Sequence, residues 1–424
     1  MSDDAANDRA SSGDSIPGDA GDDGTGDDGA DVERRTEGAF ATRAVRAGHS
    51  PDAQTGAHAP PIYQTASFLL RSVEHGSRLR ADDPARDTYS RAGNPTVREA
   101  EAKLAALEGT AEAVAFASGM GAITALFLSV LRQGDEVLTL GPIYSDTRAV
   151  LWELLPAFGI TARRVEASEL DSAIASNTRL IYVETPSNPT LAIIDLAAVA
   201  GVARRHGLLT AADNTFASPY LTRPAEHGID FVVHSATKYL GGHGDLLAGF
   251  VTGNGDELER VRSVGLRLGG ASLEPHAAFL LMRGMRTLHL RMAAHCRNAG
   301  AVARALETAP GVSRVHYPGL EDHSGHDVAT RQMSDFGGMV AVDFAGGRAS
   351  ATRFVERLEL FDHAVSLGDV CSLACVSSTT THASVPPEER ARDGITDGLV
   401  RLSVGVEDEA DLVADVLAAA AAAA

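Results

Sequence analysis

The chain has 424 residues, 44% of them apolar, and a formal net charge of −20. That length supplies a large core and more than one domain, and the acidic balance argues against nucleic-acid binding. No stretch reaches the uninterrupted apolar length of a membrane span, the N-terminus is acidic rather than signal-like, and three cysteines form no CxxC pair, so a reduced, cytoplasmic protein without a metal site is expected.

The charge is uneven. Residues 1–33 hold eleven acids, one arginine and almost no large apolar side chains, the composition of a disordered tail. Half of the net charge remains on the rest of the chain. Lysine occurs only twice, against 35 arginines. Scarce lysine, an acidic surface and an Asp/Ala/Arg bias together suggest a cell with high internal salt, where solvated carboxylates keep a protein soluble.

Residues 34–93 read as an extended arm, with turns marked by Pro60-Pro61 and Asn94-Pro95. A helix is expected from Thr96, where Thr96-Val97-Arg98-Glu99 resembles a capping box ahead of Ala102, Leu104 and Leu107. Strands are then expected at Ala113–Phe116, Glu136–Leu140, Arg179–Glu184, Leu208–Asp213, Phe231–His234 and Ala248–Thr252, separated by helices near 120–132, 146–158, 195–206 and 257–263. Such alternation implies βαβ units and a mostly parallel sheet covered on both faces, in a domain over 94–285. Past 285 a long helix, Thr287–Leu306, leads to short strands and a final Ala-rich helix, the pattern of a smaller α+β domain over 286–424. No internal repeat is visible.

Five local signals converge on one site for a cofactor and its substrate. Ser118-Gly119-Met120-Gly121 stands at a strand-to-helix junction, where small residues and a helix N-terminus suit a phosphate, although plain helix–sheet packing fits it too. Asp213 ends a strand, where a carboxylate reaches a bound cofactor or caps the loop as an Asx-turn. Twenty-five residues on, Lys238 follows the next strand with Ser235 and Thr237 beside it. A lysine amine, unlike a guanidinium, loses its proton when desolvated and forms an imine, although a surface lysine after a strand also fits. Tyr89 and Arg91, in Tyr89-Ser90-Arg91-Ala92-Gly93-Asn94-Pro95-Thr96, suit a phosphate or a solvated turn. Arg401 lies inside the apolar run Gly398–Gly405, which calls for an anion, either a substrate carboxylate or a structural partner.

Together these segments resemble one family. Ser235-Ala236-Thr237-Lys238-Tyr239-Leu240-Gly241-Gly242-His243-Gly244-Asp245 is similar to the lysine signature of the Cys/Met-metabolism (trans-sulfuration) enzymes that use pyridoxal 5'-phosphate (PLP). So are Pro61-Ile62-Tyr63-Gln64-Thr65, Tyr89 through Thr96, Glu184-Thr185-Pro186-Ser187-Asn188-Pro189-Thr190, Asp213-Asn214-Thr215-Phe216, Ser366-Leu367-Gly368 and Thr381-His382-Ala383-Ser384, in order from about 40 to 415. The resemblance implies the aspartate-aminotransferase-like α/β fold (type I), with a seven-stranded sheet domain and a smaller α+β domain. It also implies a homotetramer built from active dimers. Lys238 would carry the cofactor and shuttle protons, and Asp213 would pair with the pyridine nitrogen. Gly119, Met120, Ser235 and Thr237 would hold the phosphate, reached by Tyr89 and Arg91 of the neighbouring subunit. Tyr144 would stack on the ring and serve as acid or base at the leaving group. Asn188, Ser366 and Arg401 would orient the substrate, the last two through its α-carboxylate.

Within that family Gly242-His243-Gly244-Asp245, Leu290-Arg291-Met292 and Ala364-Val365-Ser366-Leu367-Gly368-Asp369 read like a carbon–sulfur γ-lyase acting on methionine, homocysteine or cystathionine. A γ-replacement transferase, cystathionine γ-synthase or an O-acylhomoserine sulfhydrylase, is the alternative. Two segments depart from the lyase pattern. Tyr144-Ser145-Asp146-Thr147 stands where Tyr-Gly-Cys-Thr is expected, and Arg267-Leu268-Gly269 where Lys-Asp-Met is. Cys371 replaces a usual glutamate. The acidic composition predicts that resistance to denaturation rises from low to multimolar KCl; stability indifferent to salt would contradict the high-salt reading.

Overall fold

The computed structural model describes residues 38–49, 51–52, 54–70, 72–74 and 88–424. The acidic tail over 1–33 lies outside the described residues. Two sheets organise the rest. The larger has seven strands in the order β1-β7-β6-β5-β4-β2-β3: β1 Glu112–Phe116, β2 Glu136–Leu140, β3 Thr161–Val165, β4 Thr178–Glu184, β5 Leu209–Asp213, β6 Phe231–Ser235 and β7 Gly249–Gly253. β3, β2, β4, β5 and β6 run parallel, and β7 pairs antiparallel with both β6 and β1. Leu180, Ile181, Tyr182 and Val183 of β4 are all buried, as befits a strand covered on both faces.

The expected strands are present within a residue or two, and β3 is an addition. Its exposed and half-buried residues alternate and it carries Arg163 and Arg164, so it lacks the apolar run that marks the central strands. The helix before β1 gives a second correction. Asn94, not Thr96, caps it: the Asn94 side chain accepts from Thr96 N at 3.0 Å, with Pro95 in the first turn. The Thr96 hydroxyl instead accepts from Tyr63 N and donates to Pro61 O, tying the arm to the domain.

The arm is also less extended than expected, because Phe40–Arg46 forms a helix, α1, that docks on α2, Pro95–Glu108. Lys103 of α2 is fully buried and donates to Ala44 O at the end of α1 at 2.9 Å. α3, Gly119–Val130, packs Ile123, Leu126 and Phe127 on one face of the large sheet. α4, Leu196–His206, starts on an Asp195 side-chain cap, ends on left-handed Gly207, and packs Leu196, Val199 and Ala203 on the other.

The smaller sheet has the order β10-β11-β12-β9-β8, with β8 Val312–His316, β9 Met339–Phe344, β10 Asp362–His363, β11 Leu373–Val376 and β12 Leu399–Ser403. The long helix α5, Leu288–Leu306, and the Ala-rich α6, Glu409–Ala423, pack together over it. The result is the expected α/β architecture, with the parallel strand ends and the small sheet meeting at one cleft.

Burial, with Arg286 nearby, pulls the Lys103 ammonium from 10.5 down to about 8. Between those values the unfolded chain keeps a proton that the folded chain has released, so stability rises with pH across that window. Urea midpoints of the wild type should therefore gain on those of Lys103→Met between pH 7.5 and 10. A constant gap between the two proteins would contradict this burial effect.

Candidate active site

Parallel strands deliver side chains to their C-terminal edge, and the register fixes which ones meet. Glu184 ends β4 directly opposite Asp213, which ends β5, and Lys238 follows β6 by three residues. These ends open into a cleft of about 320 Å³, lined also by Gly119, Met120, Tyr144, Asn188, Ser366 and Arg401.

The floor is built by close approach. Ser118 caps α3, its hydroxyl accepting from Gly121 N at 3.0 Å. β7 crosses beneath so tightly that a Cβ on Gly249 would meet Ser118 O at 2.1 Å, and a Cβ on Gly119 would meet Ser235 Cβ at 2.8 Å. Gly119 and Met120 thus present first-turn N–H groups, which lack partners within the helix, to the space beside Ser235 and Thr237. The Thr237 hydroxyl accepts from Ala248 N at 3.1 Å, and Ser235 N donates to the Thr215 hydroxyl at 2.8 Å, so both residues are fixed.

The other side is a network across the two domains. Lys238 Nζ donates to Ser366 Oγ at 2.7 Å. Arg401, buried on β12, donates from Nη2 to Ser366 O at 2.7 Å and from Nη1 to Asn188 Oδ1 at 3.0 Å. Ser366 holds a φ of 96°, rare for an L residue, and so faces both cations at once. The loop reaches this position because Gly368 lies against the Lys238–Tyr239 backbone, where a Cβ would meet Tyr239 N at 2.6 Å. Burial, and then Arg401, pull the Lys238 ammonium down to about 8, so a neutral amine is accessible near physiological pH.

Asp213 is 7% exposed and accepts from Thr215 N at 2.9 Å, with the Tyr182 hydroxyl 3.5 Å from its other oxygen. Burial raises it above the ordinary carboxylate range. Glu184 is pushed up to about 8 by burial and by Asp213; its oxygens accept from Tyr144 N at 2.8 Å and Asn188 N at 2.9 Å. Glu184 thereby seats the two residues on either side of the cleft. The sequence reading gave it no role, yet an acid ending an apolar strand beside another such acid was the available signal. His382 is buried near Arg401; burial, followed by that arginine, holds its ring down to about 4, so it stays neutral.

Tyr89 and Arg91 do not join Lys238. Tyr89 is 51% exposed, its ring 5.7 Å from the Arg91 guanidinium, and Arg91 donates to Arg267 O outside the cleft. Cys371 is exposed near Asp369, Glu407 and Asp362; desolvation and these carboxylates raise its thiol, the opposite of nucleophile activation. No helix among the described residues is long and apolar enough to cross a membrane, and no His/Cys/Asp/Glu cluster among them could hold a metal.

A lysine, a strand-end carboxylate and a glycine cradle at a helix N-terminus define an α/β enzyme built around a phosphorylated aldehyde cofactor. The chain belongs to the Cys/Met metabolism PLP-dependent enzymes, whose family model matches residues 41–421. It is 49% identical over 381 residues to the L-methionine gamma-lyase of Pseudomonas putida, a match covering 89% of this chain and 96% of that protein. It is 41% identical over 380 residues to the O-succinylhomoserine sulfhydrylase of Pseudomonas aeruginosa, covering 89% and 94%. The solved cystathionine gamma-lyase from Lactobacillus plantarum complexed with L-serine matches with a TM-score of 0.86 and 38% identity, over 91% of this chain and 99% of that one. The recognised family and fold are as the sequence motifs implied, and the cofactor is PLP.

The cleft fits that cofactor: Gly119 leaves open a cradle that a Cβ would fill. Across the cleft, Arg401 Nε is buried with no hydrogen-bond partner among the described residues. Gly119→Val should push into Ser235 and weaken PLP retention about tenfold or more, equivalent to roughly 1.4 kcal/mol. Equilibrium dialysis would measure it, and unchanged retention would place the phosphate elsewhere.

Proposed function

We propose that the enzyme is a carbon–sulfur γ-lyase, converting methionine, homocysteine or cystathionine to 2-oxobutanoate, ammonia and a thiol. The observation that carries this reading is the Lys238–Ser366–Arg401–Asn188 network, which offers one amine base and one carboxylate site in the same cleft. The 49% identity to an L-methionine gamma-lyase supports it.

PLP, when bound, supplies an electron sink for negative charge at the substrate's Cα. Gly119, Met120, Ser235 and Thr237 would hold its phosphate, Lys238 its aldehyde carbon, and Asp213 its pyridine nitrogen, as a buried anion facing a cation. Arg401 and Ser366 take the α-carboxylate, filling the partnerless Nε, and Asn188 fixes the Arg401 guanidinium. The Lys238 amine takes the proton from Cα; as a free base above about pH 8, it is matched to that task. Tyr144 would stack on the ring, and its phenol gives its proton to the departing sulfur. Val365, 58% exposed beside Ser366 on the cleft wall, offers an apolar surface to a short thioether.

In this reading Tyr89 and Arg91 act in the cleft of a neighbouring subunit, which suits their place outside their own. The assembly is then a homotetramer of active dimers, in the cytoplasm. Exposed apolar residues on the arm and cleft rim, Leu69 at 98% and Leu247 at 66%, suit burial against a second copy.

The second reading, γ-replacement, is favoured by the identity to an O-succinylhomoserine sulfhydrylase. The two separate by product. PLP-loaded enzyme given methionine, homocysteine or cystathionine alone should release 2-oxobutanoate and a thiol, or for cystathionine cysteine. Product only from an acylhomoserine plus a sulfur nucleophile would establish the transferase instead. Lys238→Ala should abolish turnover with the fold intact by circular dichroism, and Tyr144→Phe should lower kcat about a hundredfold or more. Full activity in Lys238→Ala would overturn the assignment.

A further inference from the structure

Tyr144 has a partner that the scheme above leaves without a role. Its hydroxyl donates to Asp146 Oδ2 at 2.9 Å, two residues along the same turn, while its backbone N–H is held by Glu184 at 2.8 Å. Asp146 is exposed and its carboxylate could face water; it turns back to the phenol instead. We propose that Asp146 is the positioning residue of Tyr144, fixing the direction of the phenol and keeping it a neutral, proton-bearing group at the wall of the cleft. This rests on Tyr144 acting as the acid of the proposed elimination.

Charged groups reach Tyr144 from every side. Glu184 at the end of β4 and Asp146 oppose ionisation, and Arg401 on β12 favours it. Lys238 and Asp213 line the same cleft, and Arg148 on the next turn is held by Glu389 through two 2.6 Å bonds. Burial first, and then Asp146, push the phenol up to about 12. Lys238 is pulled the other way, to about 8, so between those values the amine is a free base while the phenol keeps its proton. Two groups driven apart in this manner divide the base and acid roles.

The step balances within the named groups. The Lys238 amine, once it has passed on the Cα proton, takes a proton from Cβ, and that C–H pair becomes the Cβ–Cγ π bond as the C–S pair leaves on sulfur. The hydroxyl turns from Asp146 to the sulfur, its O–H bond breaking as the S–H bond forms. The phenolate then lies beside the Asp146 carboxylate, and repulsion between the two anions drives recapture of a proton from solvent.

The test follows Tyr144 in the PLP-loaded enzyme by NMR of ring-labelled tyrosine, with Tyr144→Phe assigning its signal among the seven tyrosines. Asp146→Asn should lower the Tyr144 midpoint by about one pH unit or more, the alkaline limb of kcat should fall with it, and Asp146→Glu should restore both. Asp146→Ser replaces the amide variant should that one fold poorly. A midpoint that does not move, or one that moves without the alkaline limb, overturns the proposal. Absence of turnover with every sulfur substrate in the wild type would instead sink the γ-lyase reading, and the NMR midpoint alone would then decide the place of Asp146.

Discussion

Two cations share one buried cleft and lean on one serine. Lys238 reaches the Ser366 hydroxyl, Arg401 reaches the Ser366 carbonyl, and the serine backbone holds a φ of 96° to serve both. Like charges brought together out of water are unstable unless something yields. What yields is the lysine: its amine loses affinity for its proton. The same arrangement joins the domains, because Lys238 follows a strand of the large sheet and Arg401 lies within the small one. Gly368, left-handed and pressed on the Lys238–Tyr239 backbone, makes the join possible.

The carboxylates at the strand ends are the complement. The parallel register sets Glu184 opposite Asp213, and burial makes it costly for both to ionise. Glu184 seats Tyr144 and Asn188 through their backbones, while Asp213 faces the cavity. One acid is thus structural and the other available to a cationic ring nitrogen. The two lysines divide in the same fashion. With arginine in nearly all basic positions, the lysines sit where a guanidinium would not serve: Lys103 sealed against α1, and Lys238 in the cleft.

Much of this was legible in the sequence, and the reasons are local. Lys238, Asp213 and Gly119 each stand at a strand end, where chain direction decides what a residue faces. Arg401 was visible as a charge inside an apolar run. β3 was not, because an edge strand with one face in water carries arginines in place of a hydrophobic run. The cap at Asn94 was hidden by a better-looking box two residues later, whose threonine is used by the arm. Tyr89 and Arg91 lie apart from Lys238 in this chain, and their motif carries no sign of which cleft the arm will reach. Glu184 was overlooked because its work is done through backbone N–H groups, which no side-chain pattern announces.

The central claim is that Lys238, and no other amine, holds the cofactor. Borohydride reduction of the PLP-loaded enzyme fixes the cofactor to the amine that carries it, and peptide mass mapping then locates the label. With two lysines in the chain the answer is unambiguous. The account predicts one phosphopyridoxyl group per chain, in the peptide spanning Ser235 to Gly241. Label at Lys103, or none at Lys238, would contradict it.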